Sequence, residues 1–201
     1  MGATELIALA ASTSLLAGWR LYLVTLVTGL AMRFGWIALP EHLQALDVLA
    51  NYWVIGAAAV GTLAEFFADK IAWVDSAWDS VHSFIRPLGG ALLSLAIVDS
   101  NDTGWQVASF LLGGGSAALA HAGKAGARAM VNASPEPFSN IAISTGEDVA
   151  TAGLLALSIA NPIAAALIAA ILVFLSLWLV VAARRAIRRL VDRINPPRTP
   201  A

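Results

Sequence analysis

The sequence predicts an all-α membrane protein, a bundle of about six transmembrane helices in one domain spanning residues 1–201. Of its 201 residues, 59% are hydrophobic and only 12% are charged, and the mean hydropathy is +0.77. Six apolar stretches follow one another, separated by short polar connections. This pattern is typical of a polytopic membrane protein and not of a soluble domain. The absence of cysteine excludes disulfides, thiolate catalysis and cysteine-bound zinc.

The first element is the apolar stretch 6–31, which we expect to form one spanning helix. The start of the chain, MGATELIALA, lacks the basic region of a signal peptide. Arg20 lies in the middle of the stretch, and a charge at that depth normally faces a partner or water. Its predicted partners are Glu65, Glu147 or Asp148.

The remaining elements include two unusually short ones. The predicted spans are residues 48–67, 84–98, 105–123, 147–160 and 162–183. The apolar parts of the third and fifth of the six spans, residues 87–98 and 149–160, would give only about 18 Å of helix each, against a hydrocarbon core of about 30 Å. Paired, interrupted segments point to a polar site inside a membrane protein. We therefore predict two weakly similar half-repeats, about 48–98 and 105–160; whether they are parallel or inverted stays open.

The connection before the first short segment carries charges at helical spacing, and Pro87 suits the first turn of the short helix that follows. Asp75, Asp79, His82 and Arg86 fall on one face of a predicted amphipathic helix of about three turns. This helix either lies in the inner membrane interface or folds its polar face into the bundle, where Asp79 and His82 could relay protons or bind a cation. A metal site is the weakest alternative, because no second histidine-rich cluster completes it.

Two charge pairs are predicted to lie at equivalent heights. Glu65 and Asp69 are four residues apart at the end of the second span, and Lys124 and Arg128 are four apart at the end of the fourth. Mutual neutralisation would hold these charges near lipid, as a structural network or as a gate. His121, close by, is expected to form a helix–helix hydrogen bond.

The connection before the second short segment is also polar. Pro135 and Pro137 prevent a continuous helix there. Ser144 and Glu147 fit a capping box, which predicts a helix that begins near Thr145. The polar residues assigned to the candidate site from this region are Asn132, Glu136, Asn140, Glu147 and Asp148.

The distribution of basic residues predicts the orientation. Six of the twelve Lys and Arg residues follow Ala183, in the tail 184–201, whereas the connections GWIALPEHLQALD and DSNDTG contain none. Basic segments stay on the cytoplasmic side, so we expect both termini to be cytoplasmic. The tail is expected to contact anionic lipid and not nucleic acid.

Two blocks of sequence resemble a known family. The stretches FADKIAWVDSAWDSVHSFIRPLGGALL and GKAGARAMVNASPEPFSNIAISTGEDVA are similar to a family of small bacterial integral membrane proteins, catalogued as domain of unknown function family 4126. The resemblance covers nearly the whole chain and implies a bacterial inner-membrane protein. It implies no activity and no site residues.

The residues alone favour a transporter or channel for a small ion or polar solute, with a polar vestibule on the cytoplasmic side. The first alternative is a membrane scaffold or lipid-handling protein that uses an inner-interface platform, and the second is an intramembrane enzyme, for which no nucleophile motif is present. We expect no enzymatic activity, no cofactor and no metal. Six spans of which two are short enclose little volume, which is compatible with a homo-oligomer.

Overall fold

A computed structural model of the chain describes residues 3–36, 48–98, 102–132 and 138–194. These ranges contain helices α1 (Ala3–Arg33), α2 (Tyr52–Ala68), α3 (Ala72–Val98), α4 (Thr103–Asn132), α5 (Phe138–Ala160) and α6 (Pro162–Ile194). The prediction of an all-α fold with six helices is confirmed. The half-repeats stay a prediction.

The outer surface is apolar. Phe84 is 83% exposed, and Trp53, Phe174 and many other large apolar side chains also face outward. By length and composition, segments of three helices could cross a membrane: Ile7–Arg33, Ala72–Val98 and Pro162–Arg189. The described part of the chain thus exposes apolar groups and, as shown below, buries charges. That distribution indicates a membrane location.

Helix α1 is broken at Arg20 and folds back on itself. The backbone of Arg20 is non-helical, with φ −142° and ψ 73°. Ala10 and Met32 nevertheless belong to one buried cluster with Ile97, although they would lie about 33 Å apart in a straight helix. Residues 3–19 and 21–33 are therefore two arms of a helical hairpin with Arg20 at its tip. The prediction of one apolar stretch is confirmed, but the prediction of one uninterrupted helix is wrong.

The first short segment is part of a longer helix. Helix α3 runs without interruption over 27 residues and includes Pro87. A proline in a helix removes one backbone hydrogen bond but need not end the helix when packing holds it. Gly114 of α4 lies against the carbonyl oxygen of Pro87. The prediction of a short helix over residues 84–98 is therefore wrong, because the amphipathic turns before Pro87 continue into the span.

The second short segment is also longer than predicted. Helix α5 begins at Phe138 and not near Thr145. Ser144 lies inside the helix and is fully buried, where it interacts with cations of other elements instead of capping a helix. The expected break between α4 and α5 falls at residues 133–137, outside the described residues.

The hairpin lies at the centre of the bundle. Helix α1 packs against each of the other five helices. Glycines allow its close approach to α4, because a Cβ atom at Gly18 would lie 2.8 Å from the Cα of Ala117. Helices α3 and α4 are equally close, since a Cβ at Gly113 would lie 2.6 Å from the carbonyl oxygen of Gly90. The small residues of α4 thus allow close helix packing.

Candidate functional site: a buried network of charges

Ionisable side chains from five helices meet inside the bundle. Most of the cations and anions are less than 7% exposed: Arg20, Arg86, Lys124 and Arg128, with Glu65, Asp69, Asp75 and Asp79. Glu147 and Asp148 of α5 and Lys70, which follows α2, lie at the margin with side chains about one fifth exposed. Buried charges on this scale persist only when they are paired.

One part of the network surrounds the tip of the hairpin. Arg20 lies 2.5 Å from Asp69 Oδ2 and 2.9 Å from Asp148 Oδ1. It also donates a hydrogen bond to the backbone carbonyl of Ser144, at 3.1 Å. Lys124 donates to the same Asp69 oxygen at 2.9 Å, so one carboxylate holds two cations.

Glu147 belongs to the same part of the network but lies farther from the cations. Its Oε2 lies 3.6 Å from Arg20 Nη2 and 3.7 Å from Lys124 Nζ, and this buried oxygen has no hydrogen-bond partner within the described ranges. The Lys124 ammonium also reaches the carbonyl oxygen of Trp19, at 3.3 Å. Trp19 ends the first arm of the hairpin, where the carbonyl ends of the helix favour a positive charge.

Arg128 joins helices α2, α3 and α5. It lies 3.2 Å from Asp75 Oδ1, donates to the backbone carbonyl of Asn140 at 3.1 Å and donates to the backbone carbonyl of Asp69. We call these interactions together the Arg20 cluster. Its charged members are Arg20, Asp69, Lys70, Asp75, Lys124, Arg128, Glu147 and Asp148.

A second group, the Arg86 cluster, consists of Glu65, Asp79, Arg86 and His121. The Arg86 guanidinium lies 2.6 Å from Glu65 Oε1 and 3.0 Å from Asp79 Oδ1. The same guanidinium lies 2.7 Å from His121 Nδ1. Two buried carboxylates therefore share one buried cation.

The two histidines have different hydrogen-bond roles. Arginine only donates, so His121 Nδ1 accepts from Arg86 and its Nε2 carries the hydrogen, which faces Ser83 Oγ at 3.1 Å and the carbonyl oxygen of Asp79 at 3.2 Å. In His82 the other ring nitrogen carries the hydrogen: its Nδ1 donates to the carbonyl oxygen of Trp78 at 2.8 Å. Its Nε2 lies 3.0 Å from the Tyr22 hydroxyl.

A family model for a domain of unknown function, DUF4126, matches residues 7–182. The chain belongs to this family. The match includes the hairpin and both charge clusters, so the network lies within the DUF4126 domain, and the resemblance seen in the sequence is confirmed. No curated protein and no solved structure matches the chain.

The DUF4126 domain brings most of the predicted site residues together. The face of Asp75, Asp79, His82 and Arg86 is buried inside the bundle, which decides against a helix lying flat in the interface. Asn140 is also buried, although no described residue forms a hydrogen bond with its side-chain oxygen. Asn132 ends α4, and Glu136 lies outside the described residues.

The pairing differs from the one predicted. Asp69 binds Lys124 as expected, but Glu65 pairs with Arg86 instead of Lys124 or Arg128. Arg20 contacts Glu147 and Asp148 as predicted, whereas its shortest ion pair, with Asp69, was not foreseen. The reason is the fold of α1, because the tip of the hairpin places Arg20 at the level at which α2 ends.

Three residues of the site were not predicted from the sequence: Tyr22, Lys70 and Ser144. Ser144 accepts from Lys70 at 3.3 Å, and Tyr22 contacts His82 as described above. In a single sequence, a hydroxyl group or a lysine near a connection does not by itself indicate a functional site.

The hydrogen bonds expected of His121 between helices are confirmed. The described residues contain no group of three or more histidine, aspartate or glutamate side chains suited to a metal ion.

An apolar cavity of about 930 Å³ lies beside Tyr22. It lies between the second arm of the hairpin, α2 and α3, and Ala57, Leu92 and Leu93 line its wall. Tyr22 lines it, and the hydroxyl of the same side chain contacts His82 Nε2.

Proposed function

We propose that this protein moves a small ion or polar solute across a bacterial inner membrane, along a path through the Arg20 and Arg86 clusters. One observation carries this proposal: a helix broken inside the bundle places its tip, Arg20, among buried charges of α2, α4 and α5. Irregular backbone at membrane depth is tolerated where protein or a water-filled path satisfies it. Broken helices of this kind form the substrate sites of many transporters.

The proposed topology has all six helices in the membrane, with α2 to α6 crossing it and α1 entering and returning. The basic residues after Ala183 lie on the cytoplasmic side. Asp69 and Arg128 then lie near the cytoplasmic ends of their helices, which makes the network a vestibule on that side. The hairpin changes one expectation, because the N-terminus would share the outer side with Arg33 instead of being cytoplasmic.

Reconstitution of the purified protein into liposomes tests transport. The panel of ions is H⁺, Na⁺, K⁺ and Cl⁻, each followed with a trapped or ion-selective indicator. We expect one of them to cross faster than in protein-free vesicles. Arg20→Gln should lower that flux about tenfold or more, which corresponds to a barrier increase of about 1.4 kcal/mol or more, because it leaves Asp69 and Asp148 without their shared cation.

Arg33→Gln is the matched control, since Arg33 is exposed, ends the same helix and contacts the carbonyl oxygen of Ala50 outside the network. Its flux should equal that of the parent. Absence of flux for all four ions, or equal flux in the Arg20 and Arg33 variants, would contradict the proposal.

A lipid-handling function is the second candidate, and the apolar cavity supports it. A cavity of this size and lining suits an acyl chain better than a polar solute. Ala57→Trp would fill part of it and should reduce the amount of lipid that copurifies with the protein, as measured by mass spectrometry. Unchanged lipid content would count against this candidate.

A further inference from the structure

The charges of the two clusters do not balance. The Arg20 cluster holds four cations (Arg20, Lys70, Lys124, Arg128) and four anions (Asp69, Asp75, Glu147, Asp148). The Arg86 cluster holds one cation and two carboxylates, at 2.6 Å and 3.0 Å from the guanidinium. With neutral histidines, the described network therefore has five positive and six negative charges, and the surplus negative charge belongs to the Arg86 cluster.

This surplus charge is deeply buried. Arg86 and Glu65 are 0% and 1% exposed, and Asp79 is 6% exposed. Glu65 Oε2 is buried and has no hydrogen-bond partner among the residues that the structure describes. An uncompensated carboxylate in such surroundings is costly, and a group in this position tends to neutralise by binding a proton.

No further cation among the described residues forms an ion pair with Glu65 or Asp79, although Arg20 lies near enough to interact with Glu65 through space. The titratable and charged groups around this pair are Arg20 and Tyr22 from α1, Asp69 at the end of α2, His82 and Arg86 from α3, and His121 and Lys124 from α4. Arg20 and Lys124 are held by Asp69. His121 accepts a hydrogen bond from Arg86 and is therefore neutral.

We propose that the Arg86 cluster binds one exchangeable proton, on Glu65 or Asp79, and that the ion moved by this protein is the proton. The inference rests on the proposed transport function. Binding forms one O–H bond on a carboxylate oxygen, and release returns the proton to water or to the next carrier. No oxidation or other bond change is involved.

The geometry favours a proton over a metal cation. Na⁺ and divalent ions need several oxygen ligands around one point, and the Arg86 guanidinium already occupies the position between the two carboxylates. A proton needs a single oxygen atom. His82, which pairs with the Tyr22 hydroxyl beside the apolar cavity, is three residues from Asp79 and offers a second exchangeable position on the same face of α3.

The first test follows proton movement in liposomes that contain a trapped pH-sensitive dye. A pH gradient is imposed, and K⁺ with valinomycin clamps the membrane potential. The parent should dissipate the gradient faster than protein-free vesicles. Glu65→Gln and Asp79→Asn should slow it about tenfold or more, and Glu65→Asp should restore part of the rate. Glu5→Gln, in the first turn of α1, is the matched control and should behave as the parent.

Two further measurements separate a proton site from a structural role. The infrared spectrum of the parent should contain a pH-dependent band of a protonated carboxyl group, which Glu65→Gln or Asp79→Asn changes. Glu65→Gln leaves one carboxylate with Arg86, so it should unfold at the parent temperature or above. A strong loss of thermal stability in this variant would contradict the charge count and overturn the inference.

The outcomes distinguish this inference from the proposed function. Flux of Na⁺, K⁺ or Cl⁻ that depends on Arg20, without proton movement, would overturn the proton assignment and leave transport in place. Flux of no ion would overturn both. Proton movement at the parent rate in both carboxylate variants would overturn the assignment to Glu65 and Asp79.

Discussion

The sharpest prediction concerns Arg86, the one cation of the Arg86 cluster. Its side chain is 0% exposed and forms ion pairs at 2.6 Å with Glu65 and 3.0 Å with Asp79. Arg86→Met keeps an unbranched apolar chain in α3 but removes both pairs and the donor to His121. The two carboxylates then remain buried without a counter-charge.

The magnitude follows from these contacts. Hydrogen bonds to charged groups contribute about 1.5–3 kcal/mol each, and the removal of one partner from a buried ion pair costs about 3–5 kcal/mol. We expect Arg86→Met to lower the free energy of unfolding by about 3–5 kcal/mol. For a chain of this length that corresponds to a fall in the unfolding temperature of about 6–20 °C.

Thermal unfolding of the detergent-solubilised protein measures this change, with Arg33→Met as the control. Arg33 is exposed, and its contacts are with the carbonyl oxygen of Ala50 and the ring of Tyr52, so its replacement should change the free energy of unfolding by about 1 kcal/mol or less. The triple variant Arg86→Met with Glu65→Gln and Asp79→Asn should recover much of the loss, because the uncompensated charges are then absent. Equal unfolding temperatures for the Arg86 and Arg33 variants would refute the view that the cluster is a desolvated ion pair.

Two other predictions test the hairpin. Gly18→Leu should destabilise the fold by about 1–3 kcal/mol, because its side chain would meet the backbone of Ala117; an unchanged unfolding temperature would show that α1 does not approach α4 so closely. The chain has no cysteine, so single Thr4→Cys, Trp36→Cys and Arg184→Cys variants can be labelled with a membrane-impermeant maleimide in oriented vesicles. Thr4→Cys and Trp36→Cys should react from the same side and Arg184→Cys from the other, and labelling of Thr4→Cys together with Arg184→Cys would contradict the fold-back.

Much of the fold could be predicted from local pattern. The sequence alone contains the apolar stretches that are long enough for helices, and the polar residues between them. All six helices form where hydropathy places them. Helix boundaries were less predictable. Pro87 and the Ser144–Glu147 spacing were interpreted as helix starts, but close packing at Gly114 and ion pairs with Arg20 keep both helices continuous.

The candidate site was predicted as a set of residues but not as a set of pairs. The spacing of Asp75, Asp79, His82 and Arg86 placed them on one face, and spacing cannot say which neighbour that face meets. The pairing of Glu65 with Arg86, and of Asp69 with Arg20, depends on the relative heights of helices that are distant in sequence.

The sequence by itself determined that this is an apolar, all-helical chain with charges concentrated in a few segments, because helix formation and hydropathy are local. Only the tertiary structure decided that α1 turns back at Arg20 and that the charges form two clusters of unequal balance. The physical reason is that a buried charge needs a partner, and that partner is supplied by other helices. No local pattern around Arg20 marks the place where the chain reverses.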